Sequence, residues 1–138
     1  MDIVVDFDGT CTSHDFPRVG HEIGAAPVLK QLTNNGHRLI LFTMRSDKQD
    51  IEVPKDSGLH ESSGKYLTDA VNWFKEHDIP LYGIQTNPTQ HKWTSSPKAY
   101  GQLIIDDAAL GCPLVNSSEG RWVDWVMVEL MLKSMELI

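Results

Sequence analysis

The sequence predicts an α/β domain of three layers, a parallel sheet with helices on both faces. Three observations carry that prediction: short continuous apolar runs alternate with segments of helical period, most connections are brief, and acidic residues gather where apolar runs end. Strands that are apolar throughout, instead of alternating, belong to sheets covered on both sides. Right-handed crossovers then make the strands parallel.

Residues 3–7 are β-branched and apolar apart from Asp6, too few for a helix, and are ended by Asp8-Gly9-Thr10, which predicts a buried strand feeding a turn. Over 25–35, Val28, Leu29 and Leu32 share a helical face, and Asn34-Asn35-Gly36 supplies the stop. Residues 38–43 predict the second strand, running into Thr43-Met44-Arg45-Ser46. Residues 47–64 carry charge, Gly, Ser and Pro without a period and predict a long loop. Helical spacing returns over 65–77 through Leu67, Val71 and Phe74, and Ile79-Pro80 precedes a third strand over 81–85. A polar loop at 87–97 and a turn at 98–101 lead to the fourth apolar run, 102–106, which ends on Asp106 and Asp107. The last helix covers 123–137, capped by Asp124, with Trp125, Val128, Leu132 and Met135 along a packing face.

At 138 residues the chain can bury a core as one domain without disulfide or structural-metal support. Its hydrophobic content of 41% and charged content of 22% exclude disorder. No apolar run approaches the roughly 20 residues of a membrane span, and no basic leader-like segment opens the sequence, so a cytoplasmic protein is expected. Cys11 and Cys112 show no metal-ligand or disulfide-scaffold spacing and are expected as free thiols. Twelve basic against nineteen acidic side chains give a net charge of −7, which disfavours broad nucleic-acid binding while leaving room for a local basic rim.

Asp6, Asp8, Thr43, Asp106 and Asp107 all fall at predicted strand C-termini, so one fold assumption collects them at one rim. Several carboxylates at a rim repel each other unless a cation neutralises them, and hard oxygen donors suit Mg²⁺, with Asp6, Asp8, Asp106 and Asp107 as candidate ligands. Asp6 and Asp8 point to the same side of an extended strand and Phe7 to the other, so one carboxylate can attack while its neighbour handles a proton. The turn at Gly9 and Thr10 is expected to offer free backbone amides to phosphate oxygens. Arg45 reads either as an arginine that reaches the distal part of a substrate or as a solvated loop arginine, and is left outside the core site; of the six histidines none has ligand spacing, and His14, near the first motif, reads as a loop histidine without function.

These residues resemble the haloacid dehalogenase superfamily. Its first motif, Asp-x-Asp-x-Thr after an apolar strand, is matched by Val4-Val5-Asp6-Phe7-Asp8-Gly9-Thr10. The second, a Ser or Thr at the end of the next core strand, is matched by Leu39-Ile40-Leu41-Phe42-Thr43, and the fourth, an acidic pair, by Leu103-Ile104-Ile105-Asp106-Asp107. For the third, a lysine shortly before the fourth, Lys98 is a better candidate than Lys92. The resemblance spans residues 3–113 and implies a Rossmann-like sheet and a phosphatase in which Asp6 attacks phosphorus to form an aspartyl phosphate. Asp8 would protonate the leaving oxygen and then activate water. It also implies Mg²⁺ held by Asp6, the main-chain carbonyl of Asp8 and Asp106, with Asp107 ligating through water or orienting Lys98. Gly9, Thr10, Thr43, Met44 and Lys98 would line the phosphate.

Members of that superfamily commonly insert a cap after the first or second motif. Here only residues 11–24 precede the first predicted helix, and the core helix and strand at 65–85 use up most of the second interval, so a capless single domain is expected, with 44–64 as a candidate partial lid. Capless members act on larger phosphorylated substrates or rely on a protein partner to close the site, so the size of the substrate stays open. A dehalogenase is a poor alternative, because those members lack the second aspartate matched by Asp8. A receiver-like module would need an acceptor Asp after the third strand, where Thr86 and Asn87 stand. A catalytically idle, phosphate-binding fold is the remaining alternative, and the intact chemical residues argue against it.

Overall fold

The computed structural model describes residues 1–47 and 64–138. Most of the long loop and candidate lid expected at 44–64 therefore lies outside the described residues. Four strands, β1 (Asp2–Val5), β2 (Arg38–Leu41), β3 (Leu81–Ile84) and β4 (Leu103–Ile105), form a parallel sheet in the order β3-β2-β1-β4. Helices α1 (Ala25–Asn34), α2 (Tyr66–Glu76) and α3 (Trp125–Ser134) fall inside the segments whose periodicity predicts them. Among the described residues no helix is long and apolar enough to cross a membrane.

The pleat sends alternate side chains to opposite faces. Ile3, Val5, Leu39 and Leu41 face a cluster that also takes the buried side chains of all three helices, including Leu29 and Leu32 of α1, Trp73 and Phe74 of α2, and Val128 and Leu132 of α3. Val4 and Ile40 face the other way, onto Ala99 and Tyr82. Among the described residues, then, α-helices cover one face, and the chain between β3 and β4 covers the other with a single 3-10 turn, Gln90–Lys92. The second helical layer that the sequence predicts is replaced there by irregular chain.

Topology explains which face that chain takes. The path β1–β2–β3 advances across the sheet with α1 and α2 as crossovers, and the β3–β4 connection must travel back past β2 and β1. The same right-handed rule then sends it over the opposite face. Pro88 and Pro97 interrupt any helix along the way. Irregular buried backbone needs partners, and buried Gln90 supplies them. Its carbonyl oxygen accepts from the N–H groups of Asn87 and Tyr100 at 2.9 and 3.0 Å, and its amide donates to the carbonyls of Ser96 and Lys98 at 3.2 and 3.0 Å. Buried Asn87 in turn donates to the Asp2 carboxylate at 2.8 Å, which Arg38 Nε also engages at 2.7 Å.

Between β4 and α3 the sequence predicts no regular element, yet β5 (Leu114–Ser117) and β6 (Gly120–Val123) form an antiparallel hairpin. It braces the first-motif loop, because Val123 N–H donates to the Gly9 carbonyl at 2.9 Å. The expected cap of α3 is present: Asp124 accepts from the N–H groups of Val126 and Met127 at 3.1 and 3.2 Å. One residue on, buried Trp125 donates its indole N–H to the Thr10 carbonyl at 2.7 Å.

Trp125→Phe keeps most of the buried ring but leaves the Thr10 carbonyl without its donor, at a cost of about 1–3 kcal/mol. Urea denaturation checks this as a lower midpoint at unchanged slope.

Candidate active site

Val5 of β1 stands level with Leu41 of β2 and Ile105 of β4, so the chain leaves β1 and β4 at the same height. Asp6 and Asp106 are the first residues past those strand ends, and the Asp6 N–H still donates to the Ile105 carbonyl at 3.1 Å. The strand order reverses direction between β1 and β4, which opens a crevice where ligands of such sheets bind. There, one oxygen each of Asp6, Asp106 and Asp107 lies within 4.8 Å of the others.

The loop after β1 turns on Phe7, which is fully buried with its ring centroid 5.8 Å from Trp73 and 6.3 Å from Phe74. The Phe7 carbonyl accepts from Thr10 N–H at 3.1 Å, and Gly9 N–H donates to the Thr12 carbonyl at 2.8 Å. This corrects the expectation of free amides for a phosphate, since both N–H groups are spent holding the turn. Glycine is favoured at position 9: its φ is 79°, and a Cβ would also press on the His14 ring and the Asp107 carboxylate.

Thr10 is also corrected, from a substrate contact to a brace. Its side chain is fully buried; Oγ1 donates to Asp6 Oδ2 at 2.8 Å and accepts from the Asp107 N–H at 3.0 Å. His14, near the first motif in sequence, is part of the rim: its Nε2 lies 2.9 Å from Asp107 Oδ2, directly over Gly9. Asp106 Oδ1 accepts from the Ala108 N–H at 2.8 Å, an internal turn that fixes its side chain.

The Asp8 side chain stands outside the acidic cluster, held by Arg45. Arg45 Nε donates to Asp8 Oδ2 at 2.8 Å and Nη2 to Oδ1 at 2.7 Å, a two-pronged ion pair. Its other contacts are main-chain carbonyls: Nη1 to Pro17 and Tyr66 at 3.3 and 3.2 Å, and Nη2 to Arg18 at 2.7 Å. Only 2% of Arg45 is exposed, so reading it as a solvated loop arginine is wrong, and the site gains a residue that the sequence analysis set aside. The signal for it was its place two residues past Thr43, on the same rim as Asp8.

Thr43 is half-buried and its Oγ1 accepts from the Arg45 N–H at 3.2 Å. Gln85 clasps this strand end, accepting from Thr43 N–H at 2.9 Å and donating to the Thr43 carbonyl at 2.7 Å. Met44, beside it, is fully exposed. Lys98 is not brought to the cluster: among the described residues no ion pair or hydrogen bond joins it to Asp6, Asp106 or Asp107. The Gln90 network holds its backbone, and the chain just beyond, at Gly101 and Gln102, packs on Asp2 at the opposite end of β1 from Asp6. Its exposed side chain lines a surface cavity with Trp93, Thr94 and Tyr100.

Burial pushes the Asp6 carboxyl from its ordinary 3.8 up to about 7; the Thr10 hydroxyl and the Phe7 N–H oppose the shift, and the charges of Asp106 and Asp107 add to it. Cys11, fully buried behind the loop, donates its Sγ–H to the Asp6 carbonyl at 3.2 Å, and burial pushes its thiol well above the usual range. It is a packing residue, not a nucleophile.

No family model and no curated protein matches this sequence. The chain is similar to a solved structure described as a conserved protein coded by a locus from Bacteroides thetaiotaomicron, at 31% identity and a TM-score of 0.71, over 98% of this chain and 91% of that one. The two belong to one family. The likeness takes in nearly all of both chains.

An aspartate whose folded-state pKa is raised destabilises the fold increasingly as pH climbs from its unfolded value to its folded value. In metal-free buffer, Asp6→Asn therefore melts level with wild type near pH 4, pulls progressively above it as pH climbs, and holds its full advantage beyond about pH 7, by roughly 4 °C or more. Differential scanning fluorimetry across that range checks both the sign and the window.

Proposed function

We propose that the protein is a Mg²⁺-dependent phosphohydrolase of the haloacid dehalogenase type, working on a phosphate monoester through Asp6. The observation that carries this reading is the convergence of Asp6, Asp106 and Asp107 within 4.8 Å at the switch point of a parallel sheet, with Asp8 two residues from Asp6. The donor set fits the ion: three hard carboxylate oxygens within 4.8 Å of one another, a range that includes the roughly 4 Å separating opposite ligands of one Mg²⁺. Asp6, Asp106 and the Asp8 main-chain carbonyl would hold it, with Asp107 beside them. When bound, the cation supplies the positive charge that lets an anionic phosphate approach an anionic nucleophile.

The chain's own residues then account for the steps. An oxygen of Asp6 attacks phosphorus, the P–O bond to the leaving group breaks, and Asp8 donates the proton that the leaving oxygen takes up. Asp8 next removes a proton from water, which attacks the aspartyl phosphate, releases inorganic phosphate and regenerates Asp6. Thr43, at the end of β2 on the same rim, is the hydroxyl for a phosphoryl oxygen. Lys98 enters this reading through the resemblance alone. We place the enzyme among capless members, with a phosphorylated substrate of open size and closure by a protein partner. The receiver-like alternative lacks an acceptor, because Gln85, Thr86 and Asn87, which follow β3, include no aspartate.

Hydrolysis of an aryl phosphate and of a phosphometabolite panel, with and without Mg²⁺, tests the reading. Turnover should require the metal and fall by about a thousandfold or more in Asp6→Asn. Activity that survives either change sinks the mechanism.

A further inference from the structure

We propose that Arg45 is a positioning residue that keeps the Asp8 carboxylate off the cation and fixed in direction; this rests on the phosphohydrolase reading. Asp8 follows Asp6 by two residues past the end of β1, and its main-chain carbonyl would hold the same cation, so its carboxylate is a neighbour of the cluster. A fourth carboxylate that close to a divalent cation is drawn to it strongly. Yet the cluster comprises Asp6, Asp106 and Asp107, and both oxygens of Asp8 belong to the Arg45 fork.

The fork cannot follow Asp8 toward the metal, because it is anchored independently. The carbonyls of Pro17, Arg18 and Tyr66 take its remaining N–H groups, and the rings of Phe7 and Phe16 lie 5.1 and 5.2 Å from the guanidinium carbon. Arg45 thereby does two things. It fixes the direction of Asp8, and it neutralises one of four neighbouring carboxylates so that the cation meets three. Ligand charge count is a main determinant of how tightly such a site holds a divalent ion, so releasing Asp8 should tighten metal binding while removing the proton donor from its post.

The test is calorimetric titration of metal-free protein with Mg²⁺, alongside aryl phosphate turnover, for wild type, Arg45→Gln, Arg45→Lys and the double variant Asp8→Asn/Arg45→Gln. Arg45→Gln should bind Mg²⁺ roughly tenfold tighter while kcat falls roughly 100-fold. In the double variant the gain in affinity should vanish, since the released side chain is no longer a carboxylate. Arg45→Lys keeps the charge but cannot grip both oxygens; it carries the test if Arg45→Gln fails to fold, with tighter Mg²⁺ and lower kcat again expected. A merely structural arginine would lose Mg²⁺ affinity and turnover together, and that result overturns the proposal. Wild type that binds no Mg²⁺ overturns both readings, whereas wild type that binds and turns over, with Arg45 variants no tighter, overturns this one alone.

Discussion

The buried hydroxyl of Thr10 has one proton, and it lies between the side chain of Asp6 and the start of the Asp106-Asp107 turn. By donating to the Asp6 carboxylate and accepting from the Asp107 N–H, it ties the end of β1 to the end of β4. Its carbonyl, meanwhile, receives the indole of Trp125 at the start of α3. The acidic cluster exists only because something neutral and rigid holds mutually repelling groups at hydrogen-bonding range. Every contact of Thr10 serves that end, and none is left over for a ligand.

Asp6 and Asp8 show how one short segment supports two chemical environments. Asp6 is left buried among like charges, with a hydroxyl and a backbone N–H as partial relief. Asp8 is paired with a guanidinium that is itself enclosed by carbonyls and aromatic rings. A nucleophile must be able to lose its neighbours' repulsion when a cation arrives, and a proton carrier must keep a fixed direction, so the division suits the roles proposed for each.

Much of this was legible in the sequence, for local reasons. Strands fully buried on both faces are continuous apolar runs, and the carboxylates that follow them mark the rim whichever face each helix takes. What was not legible depends on contacts that spacing and periodicity do not encode. The burial of Arg45 depends on carbonyls contributed by residues 17, 18 and 66, and the spent amides of Gly9 and Thr10 on the internal closure of their turn. The placement of Lys98 depends on a glutamine eight residues earlier. The hairpin β5–β6 was missed because its strands are mostly exposed or half-exposed and carry little of the apolar signal that betrays a core strand. The irregular second layer follows from the order of strands in the sheet, which periodicity does not encode.

The indole of Trp125 and the carbonyl of Thr10 are 115 positions apart. Contacts of such long range form late, because the entropy of closing the loop must be met before they contribute. The first-motif loop therefore takes up its lasting shape only after the sheet, the hairpin and α3 have docked. A chain still being synthesised has its first motif long before it has the residues that shape it, so the acidic cluster is complete only when the domain closes as a unit.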